Sequence, residues 1–254
     1  MVQLSANLGF LWADLPLANA IRLAAAAGFR AVECHYPYDE PAAEVALALR
    51  ETGLPMVSLN TRKTMDGLGG FGLAALPNAR LAARAAIVEA LDYAVAIGAR
   101  NVHVLAGATL DPQARATYLD NLAYAAAQAA RSSIGILIEP INHRDMPDYH
   151  LLSVEDAVRV IAAVGAPNLR LLFDCYHVQI IEGDLVRRLE RFLPWIGHVQ
   201  IAAVPDRGEP DQGEVDYGYV LSALGRLGYR GMVGAEYRPR GETGAGLGWM
   251  APYL

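Results

Sequence analysis

At 254 residues the chain exceeds the usual single-domain length but matches the span of about 250 residues on which one α/β barrel is built. Its formal net charge of −6, with arginines scattered and Lys63 the single lysine, argues against a nucleic-acid partner, whose phosphates need clustered cations. Cys34 and Cys175 are too few for a disulfide framework or a thiolate metal site, which makes a reducing cytoplasm the expected compartment. Residues 1–10 lack the charged and apolar regions of a secretory signal, and no apolar run reaches membrane-spanning length. Apolar residues, at 54%, suffice for a barrel interior and the layer beneath its helices; charged residues, at 19%, leave apolar surface that a homo-oligomer would hide.

Short β-rich runs alternate with longer Ala- and Leu-rich segments, the pattern of repeated βα units in a parallel sheet. In chain order, strands are predicted over residues 3–7, 31–34, 56–60, 101–105, 135–139, 169–174, 196–201 and 231–236. Several are apolar without alternation, as strands covered on both faces are. Gly28, Gly53, Gly98 and Gly228 stand where left-handed helix ends would fall, and Pro16, Pro41 and the pair Ser153 and Asp156 mark helix starts. The long strand-to-helix connections, 61–77, 140–152 and 202–216, are rich in Gly, Pro and charge, and in a barrel such connections form the catalytic face. Eight units with nothing left over predict a single (β/α)₈ TIM barrel over residues 1–254, with an open doubly wound sheet as the competing architecture. The first strand lacks the Gly-rich phosphate fingerprint expected of that competitor.

Glu139, Asp174, Gln200 and Glu236 stand at or near the ends of four successive late strands, about 35, 26 and 36 residues apart. Each interval is one βα unit, so ring closure would bring three carboxylates and an amide to one end of the barrel. Taken singly, a carboxylate at a strand end more often caps a helix or pairs with a cation. Together they form a set that repels itself when empty, and a divalent cation removes the conflict. All-oxygen ligands favour Mg²⁺ or Mn²⁺ over Zn²⁺.

The residues Ile138-Glu139-Pro140-Ile141-Asn142-His143, Asp174-Cys175-Tyr176-His177, His198-Val199-Gln200-Ile201-Ala202, Arg207-Gly208-Glu209-Pro210 and Gly234-Ala235-Glu236-Tyr237 resemble successive motifs of the hydroxypyruvate isomerase family, within the xylose-isomerase-like barrels. The likeness extends to Ser5-Ala6-Asn7-Leu8 and to Ala245-Gly246-Leu247 with Trp249. It implies that Glu139, Asp174, Gln200 and Glu236 bind the metal and that Glu139 and Glu236 flank the substrate as an acid/base pair. It further implies that His177, Arg207 and Asp145 contact substrate oxygens. The implied reaction interconverts hydroxypyruvate and tartronate semialdehyde through an enediolate, with a Lewis-acidic cation and positioned carboxylates assisting.

Arg207 is the expected clamp for a substrate carboxylate, with Gly208 letting its loop fold close to the ligand. His143 and His103 are expected in core or supporting roles. The sequence departs from the family after the third strand, where Arg62 and Lys63 place two cations in a loop that should overhang the site; a longer or more negatively charged substrate and a solvated pair are equal readings. Two further departures, Ala203 and Asp206, also leave the four ligands untouched. A 2-oxo-tetronate isomerase, a sugar 3-epimerase or an inosose dehydratase would use similar carboxylates. A zinc-dependent endonuclease would need more than the six histidines present and a basic surface. A silent metabolite-binding barrel would have little use for both Glu139 and Glu236.

Overall fold

The computed structural model describes residues 2–63 and 71–253. Its strands are β1 (Gln3–Asn7), β2 (Ala31–Glu33), β3 (Ser58–Asn60), β4 (Asn101–His103), β5 (Gly135–Ile138), β6 (Leu169–Asp174), β7 (Ile196–Ile201) and β8 (Met232–Ala235). All pair in parallel in the order β2-β1-β8-β7-β6-β5-β4-β3. The two ends of that order meet: Val32 N–H donates to the Pro55 carbonyl at 3.0 Å, Val57 N–H to Val32 at 2.7 Å and Cys34 N–H to Ser58 at 3.1 Å. The ring is closed, as a TIM barrel requires, and the open doubly wound alternative falls.

Outside the ring lie α1 (Leu17–Ala26), α2 (Ala42–Thr52), α3 (Arg80–Ile97), α4 (Ala114–Ala130), α5 (Val154–Val164), α6 (Cys175–Ile181), α7 (Leu185–Phe192) and α8 (Tyr217–Arg226). In α5 the apolar residues Val154, Ala157, Val160 and Ile161 fall on one buried face at helical spacing. The Ser153 hydroxyl opens that helix by accepting the Asp156 N–H at 3.1 Å. Gly53 and Gly98 end α2 and α3 at φ +71° and +73°, where a Cβ would clash with the following carbonyl. Truncating a fully buried residue of this layer, such as Leu122, is expected to cost about 2–5 kcal/mol.

Two units depart from the simple repeat. The crossover from β6 to β7 holds two short helices, parted where Gly183 and Asp184 take positive φ. After β8 the chain winds as a 3₁₀ run over Gly244–Tyr253, whose sequence carries Gly244, Gly246 and Gly248; glycine loses more entropy in a helix than any other residue, which disfavours a regular α-helix there. Among the described residues no helix is long and apolar enough to cross a membrane.

Strand register carries the inward positions round the ring. Asp174 pairs with Gln200, Gln200 with Gly234, and Asn7 with Glu33, so side chains at these positions share the barrel interior.

Candidate active site

A cavity of about 240 Å³ opens at the C-terminal ends of the strands, and its wall includes Glu139, Glu236, His35, His103, His177 and Arg207. Larger open grooves lie elsewhere, one of about 890 Å³ beside Trp12 and Leu247, but none gathers ionisable side chains from several strands as this cavity does.

Glu139 directly follows β5 and Asp174 ends β6, so two adjacent strands deliver two carboxylates side by side. Oxygens of both and a ring nitrogen of His177 lie within 4.8 Å of one another, and all three residues are buried. Burial pushes the Glu139 carboxyl well above its ordinary range, and the charges of Glu236 and Asp174 push it further. Asp174 is raised by burial to about 8, against the opposing attraction of Arg207. Its Oδ1 accepts the Tyr176 N–H at 2.9 Å and caps α6, while Oδ2 faces Arg207 and His177. One carboxylate thus caps a helix and belongs to the acidic set.

The histidine beside it is fixed in one tautomer. Asn142 Oδ1 accepts the backbone N–H groups of Arg144 and Asp145, both at 3.0 Å, so its Nδ2 must face His177 Nδ1 at 2.7 Å. Burial holds the His177 pKa well below its ordinary value, so the ring is neutral and its proton sits on Nε2. That N–H points toward Asp174 Oδ2, 3.6 Å away, and offers a donor rather than a lone pair.

Across the mouth, Glu236 follows β8 and is well supplied with donors. Asn7 Nδ2 reaches Oε1 at 3.0 Å, His35 Nε2 approaches the same oxygen at 2.8 Å, and Arg207 Nη2 donates to Oε2 at 2.7 Å. Burial alone would raise this carboxyl, yet Arg207 and His35 outweigh it and hold the group below its usual range. Gly9 makes room for His35, because a Cβ there would lie 2.1 Å from its Nδ1.

Arg207 also reaches Asp174 Oδ2 at 3.5 Å and Asp145 Oδ2 at 3.4 Å, between the rings of Tyr176 and Phe10. Gly208 is not the strained position: Arg207 itself takes φ +57°, at a cost on the order of 1–2 kcal/mol, and a Cβ on Gly208 would meet only the Asp206 carboxylate at an ordinary 3.4 Å.

Gln200, on β7, is buried and donates through Nε2 to Glu33 Oε1 at 2.7 Å. Its Oε1 and Glu139 Oε1 are both buried without a hydrogen-bond partner. Two unpartnered buried oxygens, together with carboxyls raised by burial and further by neighbouring negative charge, make a donor set that a hard cation satisfies, so the residues present fit a divalent ion.

The structure brings Glu139, Asp174, Glu236, His177, Arg207 and Asp145 together, with Lys63 on the cavity wall. Arg62 does not line the cavity: Glu89 on α3 takes its guanidinium at 3.0 Å, Asp39 lies 3.6 Å away, and the group stacks on Tyr38. His103 is buried on the cavity wall, with burial drawing its pKa down to about 4, whereas His143 is exposed and so has no core role. Sequence reasoning missed Glu33, His35 and Arg238. A carboxylate inside an apolar strand, and basic residues two positions beyond Glu33 and Glu236, were the available signals. Glu209, in the Arg-Gly-Glu-Pro run, is buried and bonds the backbone N–H and side chain of Arg240, tying the loop after β7 to the chain after β8.

Residues 21–253 match the family described as xylose isomerase-like TIM barrel, and the chain belongs to that family. It is 46% identical over 258 residues to the 2-oxo-tetronate isomerase of Cupriavidus necator, covering 100% of this chain and 99% of the relative. Identity to the hydroxypyruvate isomerase of Escherichia coli is 37% over 257 residues, covering 100% of both. A crystal structure described as AP endonuclease, family 2, from Brucella melitensis superposes with a TM-score of 0.95 at 41% identity, covering 100% of this chain and 99% of that one. These relatives place the chain among the isomerases of the aldose–ketose type.

Proposed function

We propose that the chain is a divalent-cation-dependent isomerase of short 2-oxo acids, interconverting hydroxypyruvate and tartronate semialdehyde or acting on a close relative such as 2-oxo-tetronate. The observation that carries this reading is the convergence of Glu139 and Glu236 on one small cavity, with Asp174 within 4.8 Å of Glu139 and the oxygens of Glu139 and Gln200 left unpartnered. The higher identity to the 2-oxo-tetronate enzyme favours the four-carbon substrate as the second reading. A cavity of about 240 Å³ lies below the ~300–1,000 Å³ of drug-sized ligand pockets, in keeping with a three- or four-carbon acid.

Glu139, Asp174, Gln200 and Glu236 would hold Mg²⁺ or Mn²⁺, which when bound supplies stabilisation of the negative charge developing on substrate oxygens. The chain's own groups manage the protons. Glu236, kept a carboxylate by Arg207 and His35, is suited to take the proton from C3 of hydroxypyruvate, giving the enediolate. Glu139, across the mouth on the β5 side, is suited to return a proton at C2 while the hydroxyl proton passes from O3 to O2, which yields the aldehyde. The His177 Nε2–H and Arg207 steady the substrate's oxygens, and Asp145 holds Arg207 from the solvent side. Arg238 and Lys63, on the cavity wall and exposed, are placed to meet the substrate carboxylate. A DNA-cleaving role lacks the clustered cations that phosphates require in a chain of net charge −6. Two buried free cysteines suit a reducing cytoplasm.

The test is kcat/KM for hydroxypyruvate, 2-oxo-tetronate and a set of five- and six-carbon ketoses, after chelation and reconstitution with Mg²⁺ or Mn²⁺. At least a tenfold preference for a three- or four-carbon acid is expected. Turnover confined to ketoses would make the chain an epimerase, and cation binding without turnover of any compound would make it a silent barrel.

A further inference from the structure

We infer that Glu33 is a positioning residue that fixes which atom of Gln200 faces the cation site, an inference resting on the reading of Gln200 as a cation ligand. Glu33 lies on β2, is fully buried and does not line the cavity. Side chains from β1 and β7 converge on it: Ser5 Oγ at 3.2 Å, Asn7 Nδ2 at 3.0 Å, Gln200 Nε2 at 2.7 Å and His198 Nε2 at 2.5 Å. No lysine or arginine among the described residues pairs with it. Space for the carboxylate is made by Gly234 on β8, where a Cβ would lie 2.5 Å from Glu33 Oε1 and 2.9 Å from Gln200 Cγ.

An ionised carboxylate only accepts hydrogen bonds. The Gln200 atom facing it must therefore be the NH₂, since the flipped amide would set oxygen against oxygen. Gln200 Oε1 is thereby turned the other way, where it is buried without a partner. Glu33 acts on a second amide in the same manner. Asn7 Nδ2 bridges Glu33 Oε1 and Glu236 Oε1, each at 3.0 Å, while Asn7 Oδ1 accepts the Gly9 N–H at 3.0 Å. One buried carboxylate thus leaves one amide oxygen free for a ligand and holds one amide NH₂ on Glu236. A glutamine at position 33 could offer its own NH₂ to Gln200 and permit the flip.

The test is a thermodynamic cycle in Mn²⁺ affinity, read from the electron paramagnetic resonance signal of free Mn²⁺, for the wild type, Glu33→Gln, Gln200→Ala and the double variant. Glu33→Gln should weaken Mn²⁺ binding by about 10–100-fold, the usual effect of losing a group that orients a ligand. In the Gln200→Ala background the same change should cost less than about threefold. An equal loss in both backgrounds, or no loss in the single variant, overturns the inference. A second measurement needs no variant: in the cation-free wild type, the Gln200 side-chain amide should show two resolved, slowly exchanging protons with one shifted downfield by the carboxylate. Rapidly exchanging protons without that shift would equally overturn it. A wild type that binds no Mn²⁺ contradicts the proposed function, while the amide resonances still decide the role of Glu33.

Discussion

The two sides of the barrel mouth hold carboxylates in opposite states. On the β5–β6 side, Glu139 and Asp174 are buried and raised, and one Glu139 oxygen has no partner. On the β8–β2 side, Glu236 and Glu33 are equally buried but depressed, because Arg207 and His35 serve the first and His198 and Gln200 serve the second. Burial acts alike on all four, so the donors decide the difference. The contrast shows where hydrogen bonds run short: Glu236 and Glu33 are supplied with donors while one Glu139 oxygen has none, and under the proposed function a cation would meet that need.

The largest test of that contrast removes a charge from each side. Glu139→Gln and Glu236→Gln should each lower kcat by about 10²–10⁴-fold with the far-ultraviolet circular dichroism unchanged. Either variant retaining more than about a tenth of the activity loses its acid/base role. Next comes Arg207→Lys, which gives up a planar guanidinium spread over three carboxylates. Steady-state kinetics should show kcat/KM down by about 10–100-fold, chiefly through KM, as expected for losing hydrogen bonds to charged groups.

A stability measurement sharpens the comparison without mutation. Burial raises the Asp174 carboxyl from its ordinary 3.8 to about 8, and Glu139 shifts in the same direction. Between those values Asp174 keeps its proton in the fold and loses it on unfolding; the depressed His103 and His177 oppose this below their ordinary 6.5, so the cation-free protein should lose stability as pH rises from about 6.5 to 8. The slope is up to about 1.4 kcal/mol per pH unit for each group. Glu236, being depressed, contributes in the opposite sense only near and below its ordinary 4.5, outside this window. Denaturant melts with chelator should show the slope, and saturating Mg²⁺ or Mn²⁺ should flatten it; a slope indifferent to the cation would mean the raised carboxyls are not its ligands. The smallest effect belongs to the exposed Arg238: Arg238→Ala should raise KM for the acid substrate about two- to fivefold and leave kcat alone.

The ring was legible because it is written locally. Apolar runs and glycine stops located β1, β6 and β7 to the residue, and Glu139, Asp174, Gln200 and Glu236 stand one βα unit apart. Glu33 was not legible, since the atoms that justify it sit 26 to 167 residues away and meet it only after closure. His35 needs Gly9 beside it to reach Glu236, a contact between two loops that no periodicity marks. Arg62 and Lys63 are neighbours in sequence, yet α3 claims one through Glu89 while the cavity keeps the other, a division that depends on where the helix packs.

The proposed function requires this mouth to move a proton between adjacent carbons with a cation in place. Proton NMR of the Mg²⁺-loaded chain in deuterated water, with hydroxypyruvate or 2-oxo-tetronate present, tests it most directly. Deuterium should enter the carbon beside the carbonyl together with the isomeric product, both lost in Glu236→Gln. Cation binding accompanied by exchange no faster than in that variant would contradict it.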